Sequence, residues 1–257
     1  MKPVSIFPIP FECEVAAGSD LAGLIISSLS AAGLELEVGD VLVVAQKVVS
    51  KADGLVVDLS DIQPSERAYE LAAELGKDAR KVEVVLRESN RLVKAFRHNN
   101  QGEGTLICEH VSGHISANAG VDQSNVGSED SVLLLPRDPD TSARNLHADL
   151  AKGHNFQFGL VISDTFGRPW RMGQVNVAIG SAGIPALKSE VGTLDSHGRE
   201  MQVTMPAFAD EIAAASGLVV RKTSRTPLVV VRGLQWNPDE NGQARDLVRT
   251  KTEDMFR

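Results

Sequence analysis

The chain has 257 residues and a formal net charge of −8, and this acidic balance argues against a nucleic-acid-binding protein, which needs a clustered basic surplus. Its two cysteines, Cys13 and Cys108, are far apart and form no CxxC motif, so the sequence indicates neither a disulfide framework nor a thiolate zinc site. It contains no run of about 18 apolar residues, as a membrane-spanning helix would require. We therefore expect a cytoplasmic globular protein.

Apolar runs rich in β-branched residues alternate with helical patterns along the chain. Strands are predicted at residues 4–9, 41–44, 132–135, 158–162 and 228–231. Helices are predicted at residues 20–32, 64–75, 141–151 and 207–218, followed by a more exposed helix at residues 244–256. The polar and glycine-containing stretch 98–104 predicts a flexible hairpin or loop tip. This alternation indicates a mixed α/β fold, which we expect to form two closely packed subdomains.

Two polar segments follow predicted strands and carry the groups best suited to chemistry. The segment 117–125 places Asp122 and Asn125 three residues apart. The segment 159–171 places Asp164 and Thr165 directly after a hydrophobic strand, which is where open α/β sheets usually bind ligands.

Oxygen ligands of this kind suit Mg²⁺ or Mn²⁺, and the guanidinium groups of Arg168 and Arg171 suit phosphate or carboxylate oxygens. The alternative is that Asp122 and Asp164 merely cap turns or helices, as most isolated loop aspartates do.

Two further polar segments are open to both interpretations. Ser50 and Lys51 follow the second predicted strand and can hold phosphates there, or they can be a solvated strand end. Asp195, Arg199 and Glu200 lie in a glycine-bounded loop, where they can contact substrate or form a structural ionic network. A structural ionic network is the more common role of such residues.

Several familiar motifs are missing or incomplete. The segment 217–223 approaches a phosphate-binding loop, but Lys222 stands where its second glycine belongs. The sequence has no GxSxG or HExxH motif. Cys108, His110 and His114 can be read as zinc ligands, but the sequence identifies no fourth ligand, and histidines more often have ordinary polar roles.

The polar segments also carry a family resemblance that spans nearly the whole chain. Six segments in this order resemble those of the F420-0:gamma-glutamyl ligase family: KVVSKADG, NAGVDQSNV, LLLPRDPDTSA, VISDTFGRPWRMG, VGTLDSHGRE and ADEIAAASGL. The resemblance implies the family's fold, an intertwined homodimer, and a single ligase domain over residues 1–257 without the reductase-like extension of some bacterial relatives.

The implied reaction is GTP-dependent amide formation between coenzyme F420-0 and L-glutamate, with further γ-linked glutamates as an option. It releases GDP and phosphate, uses two divalent ions (Mn²⁺ or Mg²⁺), and is stimulated by K⁺. Activation of the carboxylate through an acyl phosphate fits this chemistry, because a free carboxylate is a poor acyl donor.

The resemblance also implies roles for individual residues. Asp122 and Asp164 would bind the first metal ion and Thr165 the second. Contacts with GTP would come from four residues, namely Gln46, Lys47, Lys51 and Asn125. Our hypothesis is that Arg168 and Arg171 orient anionic groups during catalysis.

The chain departs from the family pattern at two places. Residues 11–13 stand where the family has a Gly-Ile/Leu-Pro nucleotide segment, and Arg221 stands where some members have a metal-binding glutamate. Lys222 resembles the lysine of several bacterial relatives and is a further candidate for nucleotide binding.

Two other functions compete with the implied reaction. One is a related ligase acting on a different carboxylate, and the other is a non-catalytic nucleotide-binding regulator. A regulator has no need of both aspartates, Thr165 and the lysines together, so their joint presence favours catalysis.

Overall fold

The computed structural model describes residues 3–98, 102–123, 128, 130–220 and 225–254. The strands within these ranges are β1 Ser5–Ile9, β2 Val41–Ala45, β3 Val56–Asp58, β4 Ser89–Phe96, β5 Thr105–His110, β6 Ile115–Ala117, β7 Ser131–Leu133, β8 Gly159–Arg168, β9 Arg171–Ala182 and β10 Leu228–Arg232. The α-helices are α1 Leu21–Ala31, α2 Gln46–Ala52, α3 Glu66–Leu75, α4 Ala79–Arg87, α5 Pro139–Ala151 and α6 Phe208–Ser216. In this part of the chain, no helix has the length and apolar character needed to cross a lipid bilayer.

A five-stranded mixed sheet forms the centre of the fold, with the order β1-β10-β2-β8-β9. Strands β2 and β8 run parallel, and the other neighbouring pairs are antiparallel. Strands β2 and β10 are nearly continuous apolar runs because they are covered on both faces. The mixed α/β fold expected from the sequence is therefore confirmed.

The two faces of this sheet belong to different hydrophobic cores. Leu42 and Val44 of β2 pack with residues of α1 and α5, whereas Val41 and Val43 pack with residues of α6. This division follows from the strand geometry, in which successive side chains point to opposite faces. The sheet is thus enclosed between helices.

A third hydrophobic core lies among α3, α4 and two smaller sheets, which have the orders β3-β7 and β4-β5-β6. Strands β4 and β5 pair antiparallel and flank the stretch 98–104, of which residues 99–101 lie outside the described residues. The arrangement as two closely packed subdomains, and the homodimer, stay predictions.

The predicted helix at residues 244–256 is wrong for the described part of this range. Only a 3-10 turn, Ala244–Leu247, forms there. The buried carboxylate of Asp140 accepts hydrogen bonds from the backbone N–H groups of Ala244 and Arg245, at 2.8 and 3.1 Å. These tertiary contacts fix the start of the segment against α5, and the threonines that follow have weak helix propensity.

Candidate active site

The candidate site lies where the parallel pairing of β2 and β8 ends. Ala45, the last residue of β2, pairs with Ser163 of β8, so the residues that follow them lie side by side. Gln46 and Lys47 begin α2 directly after β2, and Asp164 and Thr165 continue β8. This is the edge at which α/β sheets commonly bind ligands.

Asp164 is half-buried at this edge. Burial raises the pKa of its carboxyl group to about 6, and the nearby charge of Asp122 raises it as well. The backbone N–H of Thr165 and the ammonium group of Lys47 act in the opposite direction. Asp164 is therefore a carboxylate whose ionised form needs additional positive charge.

A tight turn brings Asp122 to the same place. Residues 118–120 all have positive φ angles, and Gly120 has φ +72°. After this turn, Asp122 forms a bridge with Leu133, donating its N–H to the Leu133 carbonyl at 3.0 Å. Its Oδ2 atom then lies 2.6 Å from the Nζ atom of Lys47.

Thr165 is exposed and is held by a chain of polar contacts that reaches α6. Its Oγ1 atom donates to Oδ1 of Asn176, at 2.8 Å, and Nδ2 of Asn176 donates to Oγ of Ser216, at 3.3 Å. Neither Asn176 nor Ser216 was predicted from the sequence as a site residue. The sequence gives only a weak indication of Asn176, which is a polar residue between two valines of a strand.

The second group of candidates lies on α2, and not at a solvated strand end. Gln46 is buried, and its Oε1 atom accepts a hydrogen bond from the Ser50 hydroxyl at 2.8 Å. Lys51 lies 3.5 Å from Glu14, and only 17% of its side chain is exposed. Because Lys47 and Lys51 are four residues apart on one helix, they lie on the same face.

The two arginines lie farther out. Arg168 and Arg171 pair with one another at the exposed tip of the β8–β9 hairpin, about 10 Å along the strand from Thr165. The guanidinium group of Arg168 donates to the carbonyl oxygen of Met172. The role of these arginines in orienting anionic groups stays a prediction. Asn125 and Lys222 lie outside the described residues.

Two alternatives from the sequence gain no support. Oδ1 of Asp195 accepts from the backbone N–H groups of His197 and Arg199, so this aspartate organises its own loop. His110 is hydrogen-bonded through Nδ1 to Ser112, whereas Nε2 of His114 lies 3.3 Å from the carbonyl of Ile179. In the described ranges, no three histidine, cysteine or carboxylate side chains are placed to hold a metal ion.

The carboxylates of Asp122 and Asp164 fit a divalent ion that is also bound by water or by substrate phosphates. Asp122 is close enough to Asp164 for its charge to raise the pKa of Asp164, in addition to the larger effect of burial. Oxygen donors of this kind suit Mg²⁺ and Mn²⁺, which usually retain water or bind substrate phosphates as well. An ion at Oδ2 of Asp122 would replace its contact with Lys47.

Comparison with known proteins gives consistent matches. The family model F420-0:Gamma-glutamyl ligase matches residues 12–233. The coenzyme F420:L-glutamate ligase of Methanopyrus kandleri is 42% identical, and the aligned region covers 100% of this chain and 99% of that protein. The proteins with the same name from Archaeoglobus fulgidus and Methanothermobacter thermautotrophicus are 40% and 39% identical, over 99% and 95% of this chain and 96% and 94% of their own lengths. The chain therefore belongs to the F420-0:gamma-glutamyl ligase family.

Proposed function

We propose that this protein ligates L-glutamate to coenzyme F420-0 through an amide bond, with hydrolysis of GTP to GDP and phosphate. The names of the full-length relatives supply the substrates. The observation that carries the proposal is the juxtaposition of Asp164, Asp122 and Lys47 at the carboxyl edge of the central sheet. Carboxylates beside a lysine suit a metal-bound nucleoside triphosphate.

The reaction requires activation of a carboxylate. In the proposed first step, an oxygen of the F420-0 carboxylate attacks the γ-phosphorus of GTP, the bond to the β,γ-bridging oxygen breaks, and GDP leaves. The glutamate amine then attacks the acyl carbon, loses a proton to solvent, and expels phosphate. No covalent bond to the protein is needed, so the protein's task is positioning and charge neutralisation.

The side chains of the site divide this task. Lys47 and Lys51 share one face of α2, where both ammonium groups can bind phosphate oxygens. We assign Asp122 and Asp164 to one Mn²⁺ or Mg²⁺ ion and Thr165 to a second. When bound, such ions neutralise charge that develops on the transferred phosphoryl group.

Other proposed contributions rest on the family resemblance. Gln46, Asn125 and Lys222 complete the nucleotide contacts, K⁺ stimulates the reaction, and further γ-linked glutamates are added to the first product. The buried amide of Gln46 is held by Ser50, which gives this contact a fixed position.

We further propose that the protein acts as a homodimer. Several large apolar side chains are exposed on the β8–β9 hairpin and the loop that follows it: Trp170 at 79%, Met172 at 93%, Leu194 at 68% and Val203 at 85%. Apolar side chains concentrated on one segment are typical of protein interfaces. A second copy of this chain would remove them from water.

Incubation of the purified protein with F420-0, L-glutamate, GTP and Mn²⁺ tests the proposal. Mass spectrometry should show a glutamyl-sized mass gain in F420-0, and chromatography should show an equal amount of GDP. A parallel reaction with ATP tests the assignment of GTP as the nucleotide. A parallel reaction with a different cofactor carboxylate tests the assignment of F420-0 as the substrate. No mass gain alongside an active ligase control would contradict the proposed substrates.

A further inference from the structure

A polar pocket on the surface shares no lining residue with the candidate active site. It has a volume of about 440 Å³ and lies between the β5–β6 turn, at Ser112 and Gly113, and the C-terminal segment 245–253. The C-terminal part of its lining lies beyond residues 12–233, which the family model matches. The volume is within the range that binds small molecules.

Three cationic side chains line this pocket, namely Arg245, Arg249 and Lys251. All three residues are exposed. Among the described residues, none of the three has a carboxylate oxygen within 4.0 Å. Such a group is notable in a protein with a net charge of −8, where carboxylate partners are abundant.

The carboxylates in the same lining have other hydrogen-bond partners. Glu109 accepts from Arg91 at 2.7 Å. Asp246 accepts from the Gln243 side chain at 3.3 Å, and Glu253 accepts from the Thr250 hydroxyl at 2.7 Å. None of these carboxylates forms a direct ion pair with the three cations in the described part of the chain, although the charge of Arg249 adds to the hydrogen bonds from Thr250 that lower the pKa of Glu253.

Another surface pocket differs in the ion pairs that its charged residues form. That pocket, of about 500 Å³, is lined by Asp78, Lys81 and Asp130 among others. There Arg80 pairs with both aspartates, and Lys81 lies 3.5 Å from Glu103. Its charged groups form direct ion pairs, whereas the three cations of the C-terminal pocket form none with the described carboxylates, although Glu109, Asp246 and Glu253 share the lining.

Tertiary contacts hold the backbone of the C-terminal pocket in place. The buried carboxylate of Asp140 binds the N–H groups of Ala244 and Arg245. Gly113 lies next to Val248, since a Cβ atom added to this glycine would be 3.4 Å from the Val248 side chain, an ordinary van der Waals contact. These contacts preorganise the two walls, which lowers the cost of ordering them around a ligand.

Ser112 adds a hydrogen-bond acceptor. We assign His110 the tautomer with an unprotonated Nδ1, because the backbone N–H of Ser112 lies 3.1 Å from this nitrogen in donor geometry. Burial lowers the pKa of His110 to about 4, which keeps the ring neutral at neutral pH. The Ser112 hydroxyl, at 2.7 Å from Nδ1, must therefore donate its proton to the ring and present its lone pairs elsewhere.

We propose that this pocket binds a phosphate ester that carries a hydroxyl group. Its phosphate would contact Arg245, Arg249 and Lys251, because guanidinium and ammonium groups form charge-assisted hydrogen bonds with phosphate oxygens. The ligand hydroxyl would donate to Oγ of Ser112. The site is separate from the proposed ligase centre and does not depend on the ligase reaction.

The test is a titration of the full-length, ¹⁵N-labelled protein with glycerol 3-phosphate and, separately, with sulfate, which has no donor at neutral pH. Amide signals of Gly113 and Arg249 should shift with both ligands. Arg249→Gln should weaken binding of both by roughly three- to tenfold, since the exposed guanidinium is screened by water. Ser112→Ala should weaken glycerol 3-phosphate only.

Lys51→Gln is the matched control, because it removes a lysine that the proposed nucleotide site uses and leaves this pocket intact. It should leave the shifts of Gly113 and Arg249 unchanged. Equal dissociation constants for the native protein and Arg249→Gln would overturn the proposed anion site. Unchanged glycerol 3-phosphate binding in Ser112→Ala, with sulfate also unchanged, would overturn the assignment of the hydroxyl group.

Discussion

At the scale of single residues, the candidate active site has more negative than positive charge. Two carboxylates, Asp122 and Asp164, lie close together, and burial of Asp164 raises its pKa to about 6. Lys47 supplies one positive charge, at 2.6 Å from Asp122. A metal ion and the lysines together would satisfy this site when a nucleotide is bound.

Lys47→Gln should therefore impair catalysis. The substitution removes the ammonium group and keeps a side chain of similar polarity, so loss of phosphate neutralisation should lower kcat/KM for GTP at least about tenfold. Steady-state kinetics measure this effect. Lys152→Gln, at the exposed end of α5, is the control, and equal losses in both variants would contradict the assigned role of Lys47.

His110 should make stability depend on pH. Burial, then the charges of His114 and Arg137, lower its pKa to about 4, from 6.5 in an unfolded chain. Below pH 6.5 the unfolded state binds the additional proton, so the free energy of unfolding should fall by roughly 2 kcal/mol between pH 7 and pH 5. Burial lowers the pKa of His114 also, which adds a change of the same sign.

Urea unfolding at several pH values measures this dependence. His110→Gln should flatten the curve between pH 7 and pH 5, whatever its effect on stability at pH 7. His197→Gln, in an exposed loop, should retain the native slope. An unchanged slope in His110→Gln would show that another group controls the acid response.

At the scale of secondary-structure elements, local sequence predicted most elements of the central layer but missed its longest strand, β9. Strands β2 and β10 and helices α1, α3, α5 and α6 lie within the predicted regions or extend them by one or two residues, whereas β8 continues to Arg168, well past the predicted end at residue 162. Helix α2 was missed because it follows β2 without a turn, and its apolar residues continue the strand's run. Tertiary contacts with Asp140 fix the start of the C-terminal segment, at Ala244 and Arg245, and local sequence does not reveal them.

The turn before Asp122 gives a prediction at this scale. In Gly120→Ala, the new methyl group would overlap the Leu135 side chain at a position with φ +72°. Strain and overpacking together should lower the free energy of unfolding by about 2–4 kcal/mol. The displaced turn should also lower ligase activity.

Gly198→Ala provides a matched comparison, since Gly198 has φ +76° but open space around the added methyl group. This variant should show the backbone cost alone, about 1 kcal/mol. Urea unfolding of both variants separates the two effects. Equal destabilisation would mean that contact with Leu135 does not fix the turn.

At the scale of the whole molecule, the sequence predicted the α/β class but left the strand order open. The order β1-β10-β2-β8-β9 places residues from both ends of the chain next to each other, and local periodicity carries no information about such pairings. Asp122 and Asp164 were identified through their motifs, but their approach to Lys47 depends on this topology. Asn176 and Ser216 also become neighbours only in the folded chain.

The proposed homodimer gives a prediction for the exposed hairpin. Met172→Asp should dissociate the dimer, because Met172 is 93% exposed in the single chain and a buried unpaired charge at an interface is costly. Light scattering coupled to size-exclusion chromatography measures the mass. Val38→Asp, at an exposed residue beyond the opposite end of β2, should leave the mass unchanged, and a monomeric native protein would contradict the proposal.

The most direct test of the proposed active site is Asp164→Asn, measured for both Mn²⁺ binding and F420-0 glutamylation. This change preserves side-chain volume and removes the charge, so Mn²⁺ affinity should fall and turnover should drop by at least about a hundredfold while the fold is retained. Asp195→Asn, in the exposed loop, should keep both properties. Full turnover and native Mn²⁺ affinity in Asp164→Asn would contradict the account.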